Sequence, residues 1–118
     1  MINFLYAQLS CPACGASSKF EITFEYGHCR LYNYQIGDFI HWVGDDGVGD
    51  IRNKFVRVDA VGGPCRKCEM KYLDFDIFIR DNVIEKAWPV VGRETIKPAE
   101  CEVLNEADYF HALKNSSS

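Results

Sequence analysis

The chain has 118 residues, 47% apolar and 25% charged, with a formal net charge of −4. That length fits one domain with one modest core, and the balance excludes a disordered or fibrous chain. No apolar run nears the ~20 residues of a membrane span, and the acidic balance works against binding nucleic acid, whose phosphates dominate affinity.

The opening MINFLYAQLS reads as a first strand. No Lys or Arg precedes its apolar part, which is short and broken by Asn3 and Gln8, so it does not read as an export signal. The expected compartment is the cytoplasm, where thiols stay reduced. KFEITFEY (19–26) alternates, with Phe20, Ile22, Phe24 and Tyr26 on one face, as in a half-buried strand. DFIHWV (38–43) is nearly apolar and predicts a strand buried on both faces. GDDGVGD (44–50) reads as a flexible loop, and KFVRVDAV (54–61) as the next strand, giving a hairpin with a long acidic tip.

KYLDFDIFIR (71–80) and VIEKAWPVV (83–91) flank Asp81-Asn82, two residues that tolerate positive φ, so a tight hairpin is predicted. That turn pairs Arg80 with Val83, Ile79 with Ile84 and Phe75 with Trp88. Pro89 places the last of these strands at an edge or bends it there. Asn105, with Asp108 three residues on, resembles an N-cap with a reciprocal acidic partner. A short helix is predicted over 106–114, with Ala107, Phe110 and Leu113 as its apolar stripe. Residues 1–115 then make a single domain and 116–118 a frayed tail.

Two C-x-x-C pairs stand out, Cys11 and Cys14 in CPACG and Cys65 and Cys68 in GGPCRKCEM. Four thiolates in two pairs match tetrahedral zinc, whose structural sites are closed by four protein ligands. The spacing within each pair lets one tight turn aim both sulfurs at an ion, and Gly15 supports the first turn by allowing positive φ. CPACG resembles the knuckle of zinc ribbons and rubredoxins. The resemblance implies a metal module over about ten residues at two places and a structural Zn2+ held by Cys11, Cys14, Cys65 and Cys68. This chain departs from the pattern at Glu69, where glycine is common, and in the length of the 15–64 interval, far beyond the ~15–20 residues of compact ribbons. Three candidate strands fill that interval, so the expected fold is mainly β: an antiparallel sheet or partly open barrel with an interrupted zinc ribbon and a short C-terminal helix. Arg66, Lys67, Lys19 and Lys71 lie near the pairs and either offset their charge or are simply solvated.

The remaining candidates are weaker. His28 and Cys29 are adjacent on an extended segment and face opposite ways, so Cys29, like Cys101, reads as a small core residue. His41 reads as a core or interface histidine and His111 as exposed. Asp45, Asp46 and Asp50 lack the ligand pattern of a calcium loop. Arg52, Lys54 and Arg57 cluster near Phe55, a face that could take single-stranded nucleic acid but is diluted by Asp50 and Asp59. Tyr32, Tyr34 and Phe39 fit an interface or a core rim. No nucleophile elbow, P-loop or zincin motif occurs, so the chain does not read as an enzyme. The expected function is a small cytoplasmic zinc protein acting through another protein, as an adaptor, regulator or immunity-type inhibitor. A nucleic-acid-binding ribbon and a rubredoxin-like iron electron carrier are the alternatives.

Overall fold

The structure, a computed structural model, describes residues 1–68, 72–90 and 101–115. The expectations for Glu69, Lys71, Val91 and the 116–118 tail lie outside the described residues. Strands β1 (Asn3–Ser10) and β2 (Ser17–Phe24) form an antiparallel hairpin with continuous register from Asn3↔Phe24 to Ser10↔Ser17. The alternation read over 19–26 is what buries Phe20, Ile22, Phe24 and Tyr26 on a common side. A two-residue strand, β3 (Asn33–Tyr34), pairs parallel to β1, so the sheet is mixed.

Strand β4 (Phe55–Gly62) is the hub. One of its edges pairs along its full length with β5 (Leu73–Arg80). It also pairs with β2 at its C-terminal end and with β7 (Cys101–Val103) at its N-terminal end. Strand β6 (Val83–Val90) follows β5, giving the order β3-β1-β2-β4-β5-β6. An isolated bridge from Phe39 to Val83 brings the segment after β3 against β6, so the two sides of this open sheet curl toward each other. Side chains from both arms meet inside; the rings of Phe20 and Phe75 lie 5.4 Å apart.

The β5–β6 turn forms as predicted, with φ of 51° at Asp81 and 64° at Asn82, the left-handed pair a two-residue hairpin needs. Arg80↔Val83 and Ile79↔Ile84 hold, but Phe75 pairs with Pro89 and Trp88 with Asp76, one residue away from the expected register. A bulge at Glu85 causes the slip. It turns Ala87 into the core beside Ile84 and sends Lys86 and Trp88 to the other face, where the Lys86 ammonium sits 5.1 Å from the Trp88 ring centre and donates to the Leu113 carbonyl.

That outer face carries helix α1 (Glu106–Asn115), capped as expected: Asn105 Oδ1 accepts from the Asp108 N–H at 2.8 Å. The predicted stripe is rotated. Tyr109, Ala112 and Leu113 pack on Phe55 and Phe78, while Ala107 and Phe110 are exposed. The Tyr109 hydroxyl donates to Glu85 Oε1 at 2.7 Å, which fixes which side of the helix faces the sheet. No helix among the described residues is long and apolar enough to cross a membrane.

Residues 38–43 form no strand and no hairpin with β4. Their backbone partners alternate between two neighbours: Ile40 N donates to Asn82 O, while His41 O accepts from His28 N. Ile40 alone of this run is buried, against Gly27, where a Cβ would meet Ile40 Cγ2 at 2.2 Å. The 44–50 segment is exposed but anchored rather than a free tip. Gly27 and Val48 exchange two backbone hydrogen bonds, at 2.8 and 3.0 Å, and Gly49 lies so close to the Tyr26 ring that a Cβ would be 2.3 Å from it.

Candidate metal centre

Each C-x-x-C sits at the tip of an antiparallel hairpin. The first follows the last pair of β1 and β2, Ser10↔Ser17. Its turn is set by Gly15 N donating to Cys11 O at 2.8 Å and Cys11 N to Ala16 O at 2.9 Å, with Gly15 at φ 73°. Nothing lies within 4 Å of a Cβ built on Gly15, so glycine serves backbone conformation here and not space. The second pair follows Gly62↔Leu73 at the tip of β4 and β5.

What brings the tips together is the short β2–β4 junction, Ile22↔Gly62 and Thr23↔Val61. Thr23 Oγ1 donates to Val61 O at 3.1 Å and Gly63 N to Glu21 O at 3.3 Å. The strands approach closely because residue 62 has no side chain; a Cβ there would lie 2.8 Å from Glu21 O. The interval that looked too long for a ribbon is therefore folded into the sheet, and it returns the second pair to the first.

The four sulfurs converge within 4.8 Å of one another. Cys11 Sγ lies 3.7 Å from Cys68 Sγ, and Cys14 Sγ lies 3.8 Å from Cys65 Sγ. With metal–sulfur bonds of ~2.3 Å, the edge of a regular tetrahedron of sulfurs is ~3.8 Å. A disulfide needs ~2.05 Å, and all four cysteines are free thiols. The residues present therefore fit a metal ion bound by four thiolates.

Cys11 and Cys65 are each 1% exposed, whereas Cys14 and Cys68 lie on the solvent side. The backbone N–H groups of Cys68 and Lys67 donate to the Cys65 sulfur and, with the neighbouring Cys11 and Cys68 thiols, bring its pKa down to about 6 against the opposing effect of burial. A thiol so placed supplies the thiolate that metals require. The basic side chains contribute less than their positions suggested. Arg66 and Lys67 are exposed, and it is the backbone N–H of Lys67 that reaches a sulfur. Lys19 stands over the Tyr6 ring at 5.7 Å, on the outer face of the first hairpin.

The other candidates scatter. Cys29 is buried beside Asn3 and burial pushes its thiol up; Cys101 packs half-buried against the core. His28 is taken by Tyr32 (Nδ1 to hydroxyl, 2.9 Å) and Asp46 (Nε2 to Oδ2, 3.3 Å). Sequence spacing gave no sign of this Asp46–His28–Tyr32 chain, which exists because the glycine-rich segment folds back; the density of glycines there was the available clue. His41 is exposed, not core, and stacks on Tyr32 with ring centres 4.3 Å apart. His111 is exposed beside Asn115. Asp45, Asp46 and Asp50 line a hollow of about 410 Å³ next to Trp42, where Asp46 is bonded to Arg30 and Asp50 to Arg52.

The basic cluster at 52–57 does not form one face. Arg57 turns into Asp59, Asp76 and Glu102, Arg52 pairs with Asp50, and Phe55 is buried under α1. Tyr32 and Tyr34 stay together, with ring centres 6.1 Å apart, and Tyr34 is buried; Phe39 turns outward, 70% exposed. No protein-family model, curated protein or solved structure matches the chain, so its likeness to zinc ribbons rests on the two knuckles and the convergence of their sulfurs.

Proposed function

We propose that Cys11, Cys14, Cys65 and Cys68 hold one zinc ion in a closed structural site, and that the protein acts without catalysis, in the cytoplasm, through contacts with another protein. The observation that carries the metal reading is the set of sulfur spacings, 3.7 and 3.8 Å, at the meeting point of two hairpin tips. Zinc has no redox chemistry of its own, and a site closed by four thiolates keeps no open position for substrate. Its work is to tie the hairpins together.

The partner reading draws support from the opposite end of the sheet. Phe39, Val43 and Ile51 are 70%, 52% and 55% exposed there, near the β5–β6 turn, where Asn82 bonds to both Trp42 and Ile51. Exposed apolar side chains grouped on one end mark contact surfaces more often than scattered ones do. An adaptor, a regulator and an inhibitor would all use such a surface.

Elemental analysis of the purified protein tests the metal; about one zinc per chain is expected, and a coloured iron form would favour an electron carrier instead. Affinity capture from the native host, with wild type beside Phe39→Ser and Ile51→Ser, tests the contact. A partner lost with either substitution supports the reading. Salt-sensitive retention of single-stranded DNA or RNA, unaffected by those substitutions, would overturn it.

A further inference from the structure

We propose that the cysteine cluster is also an oxidation site for hydroperoxides, at which oxidation expels the metal while a disulfide between the two hairpins keeps their tips joined. This rests on the metal reading above. The geometry supplies both halves of the reaction. Cys14 and Cys68 face solvent, and each touches a buried sulfur of the opposite knuckle, Cys65 at 3.8 Å and Cys11 at 3.7 Å. An oxidant reaches the outer sulfur, and the inner one waits beside it as the resolving thiolate.

The chemistry balances with hydrogen peroxide as the oxidant. The exposed thiolate attacks one peroxide oxygen; an S–O bond forms, the O–O bond breaks and hydroxide leaves. The buried thiolate then attacks that sulfenic sulfur; an S–S bond forms, the S–O bond breaks and a second hydroxide leaves. Two thiolates lose two electrons in all, and one peroxide with two protons becomes two waters. Zinc keeps its oxidation state but loses two of four ligands, and a structural site with two ligands no longer retains it.

What distinguishes this cluster from a simple oxidation-sensitive site is where the new bond falls. Cys14–Cys65 and Cys11–Cys68 both run from the β1–β2 tip to the β4–β5 tip, the connection the metal makes. Between those hairpins β2 and β4 share only two residue pairs, Ile22↔Gly62 and Thr23↔Val61. Removing the ion alone frees the tips, whereas oxidising the cluster replaces one tie with another. The oxidised, metal-free protein therefore stays folded.

The test uses the full chain carrying Cys29→Ser and Cys101→Ser, which leaves the four cluster cysteines as the sole thiols. The zinc-loaded protein is treated with hydrogen peroxide, zinc release is followed with a chromophoric chelator, and disulfides are mapped after digestion. Four cysteines allow three pairings. Trypsin cuts after Arg66 and Lys67, so Cys65 and Cys68 fall on separate peptides and fragmentation distinguishes Cys11 from Cys14. The expected result is about one zinc released per chain, a Cys14–Cys65 or Cys11–Cys68 disulfide, and a cooperative thermal transition that survives. The reduced protein stripped with chelator should lose that transition. Zinc retained under peroxide, Cys11–Cys14 or Cys65–Cys68 disulfides alone, or a cross-linked but unfolded product would each overturn the proposal while leaving the metal reading intact. A preparation that binds no zinc would remove both.

Discussion

Replacing Gly62 by alanine asks whether the β2–β4 junction sets the spacing of the sulfurs. Gly62 lies outside the left-handed region, so the cost is one of space alone. A Cβ there would sit 2.8 Å from Glu21 O, 2.9 Å from Ile22 Cγ1 and 3.0 Å from Ile22 Cα. Comfortable contact begins at about 3.5 Å, and two of those three atoms are backbone and cannot rotate away. β2 must therefore move off β4 by several tenths of an ångström. Overpacking of this kind costs about 1–3 kcal/mol. Because β2 leads out of the first knuckle and β4 into the second, the same displacement spreads the sulfurs. At about 1.4 kcal/mol per tenfold, zinc binding weakens by up to roughly a hundredfold. Competition against a chromophoric chelator and melting of the zinc-loaded protein read the two effects. Gly15→Ala provides a contrast. With φ at +73° and open space around it, its cost is conformational, about 1–2 kcal/mol, and Gly15→Asn should recover part of it. Wild-type melting and zinc affinity in Gly62→Ala would show that the junction does not set the spacing.

Other consequences are equally direct. Structural zinc contributes about 10–16 kcal/mol in small zinc modules, against the ~5–15 kcal/mol net stability of a domain. Chelation under reducing conditions, and Cys11→Ser or Cys68→Ser, should therefore give insoluble or partly unfolded protein; unchanged zinc content and melting in both variants would contradict this. Arg57 holds Asp59, Asp76 and Glu102 at 2.6, 2.8 and 2.7 Å. Arg57→Met removes one cation from Asp59, the buried Asp76 and Glu102 at once and should cost about 3 kcal/mol in urea denaturation, with exposed Glu102 adding little. A loss near zero would mean that these pairs behave as surface bridges. Burial raises the hydroxyls of Tyr26, Tyr34 and Tyr109 above the ordinary tyrosine range. A group whose folded pKa is raised contributes stability that is present below its unfolded value, about 10, and is lost as pH rises through the folded one. Absorbance titration should show Tyr26, Tyr34 and Tyr109 ionising only as the protein unfolds; reversible ionisation of these three while the fold is intact would refute this.

The site was more legible than its surroundings. Two C-x-x-C pairs named the four sulfurs because a tight turn is a local property, and the turn at Asp81-Asn82 and the cap at Asn105 were readable for the same reason. The strand at 19–26 announced itself by strict alternation. The 38–43 run misled because apolar residues without a period say that something is buried, not what pairs with it. Only Ile40 goes inside, since its neighbours' backbone groups are claimed by His28 on one side and β6 on the other. The slip at Glu85 was equally hidden. A register counted from a turn assumes no bulge, and the bulge is what puts Ala87 in the core and Trp88 on the opposite face.

By itself the sequence determined the chemistry of the cluster, four soft sulfur donors on two turns, since chemistry and turns depend on neighbours along the chain. Only the tertiary structure decided that the 15–64 interval returns the second turn to the first, which sulfurs are sheltered and which face water, and that Gly62 lies at the backbone junction of the two hairpins. Those are matters of distance between residues far apart in sequence. Such distances are set by how β4 shares its two edges among β2, β5 and β7, a choice that no local pattern encodes.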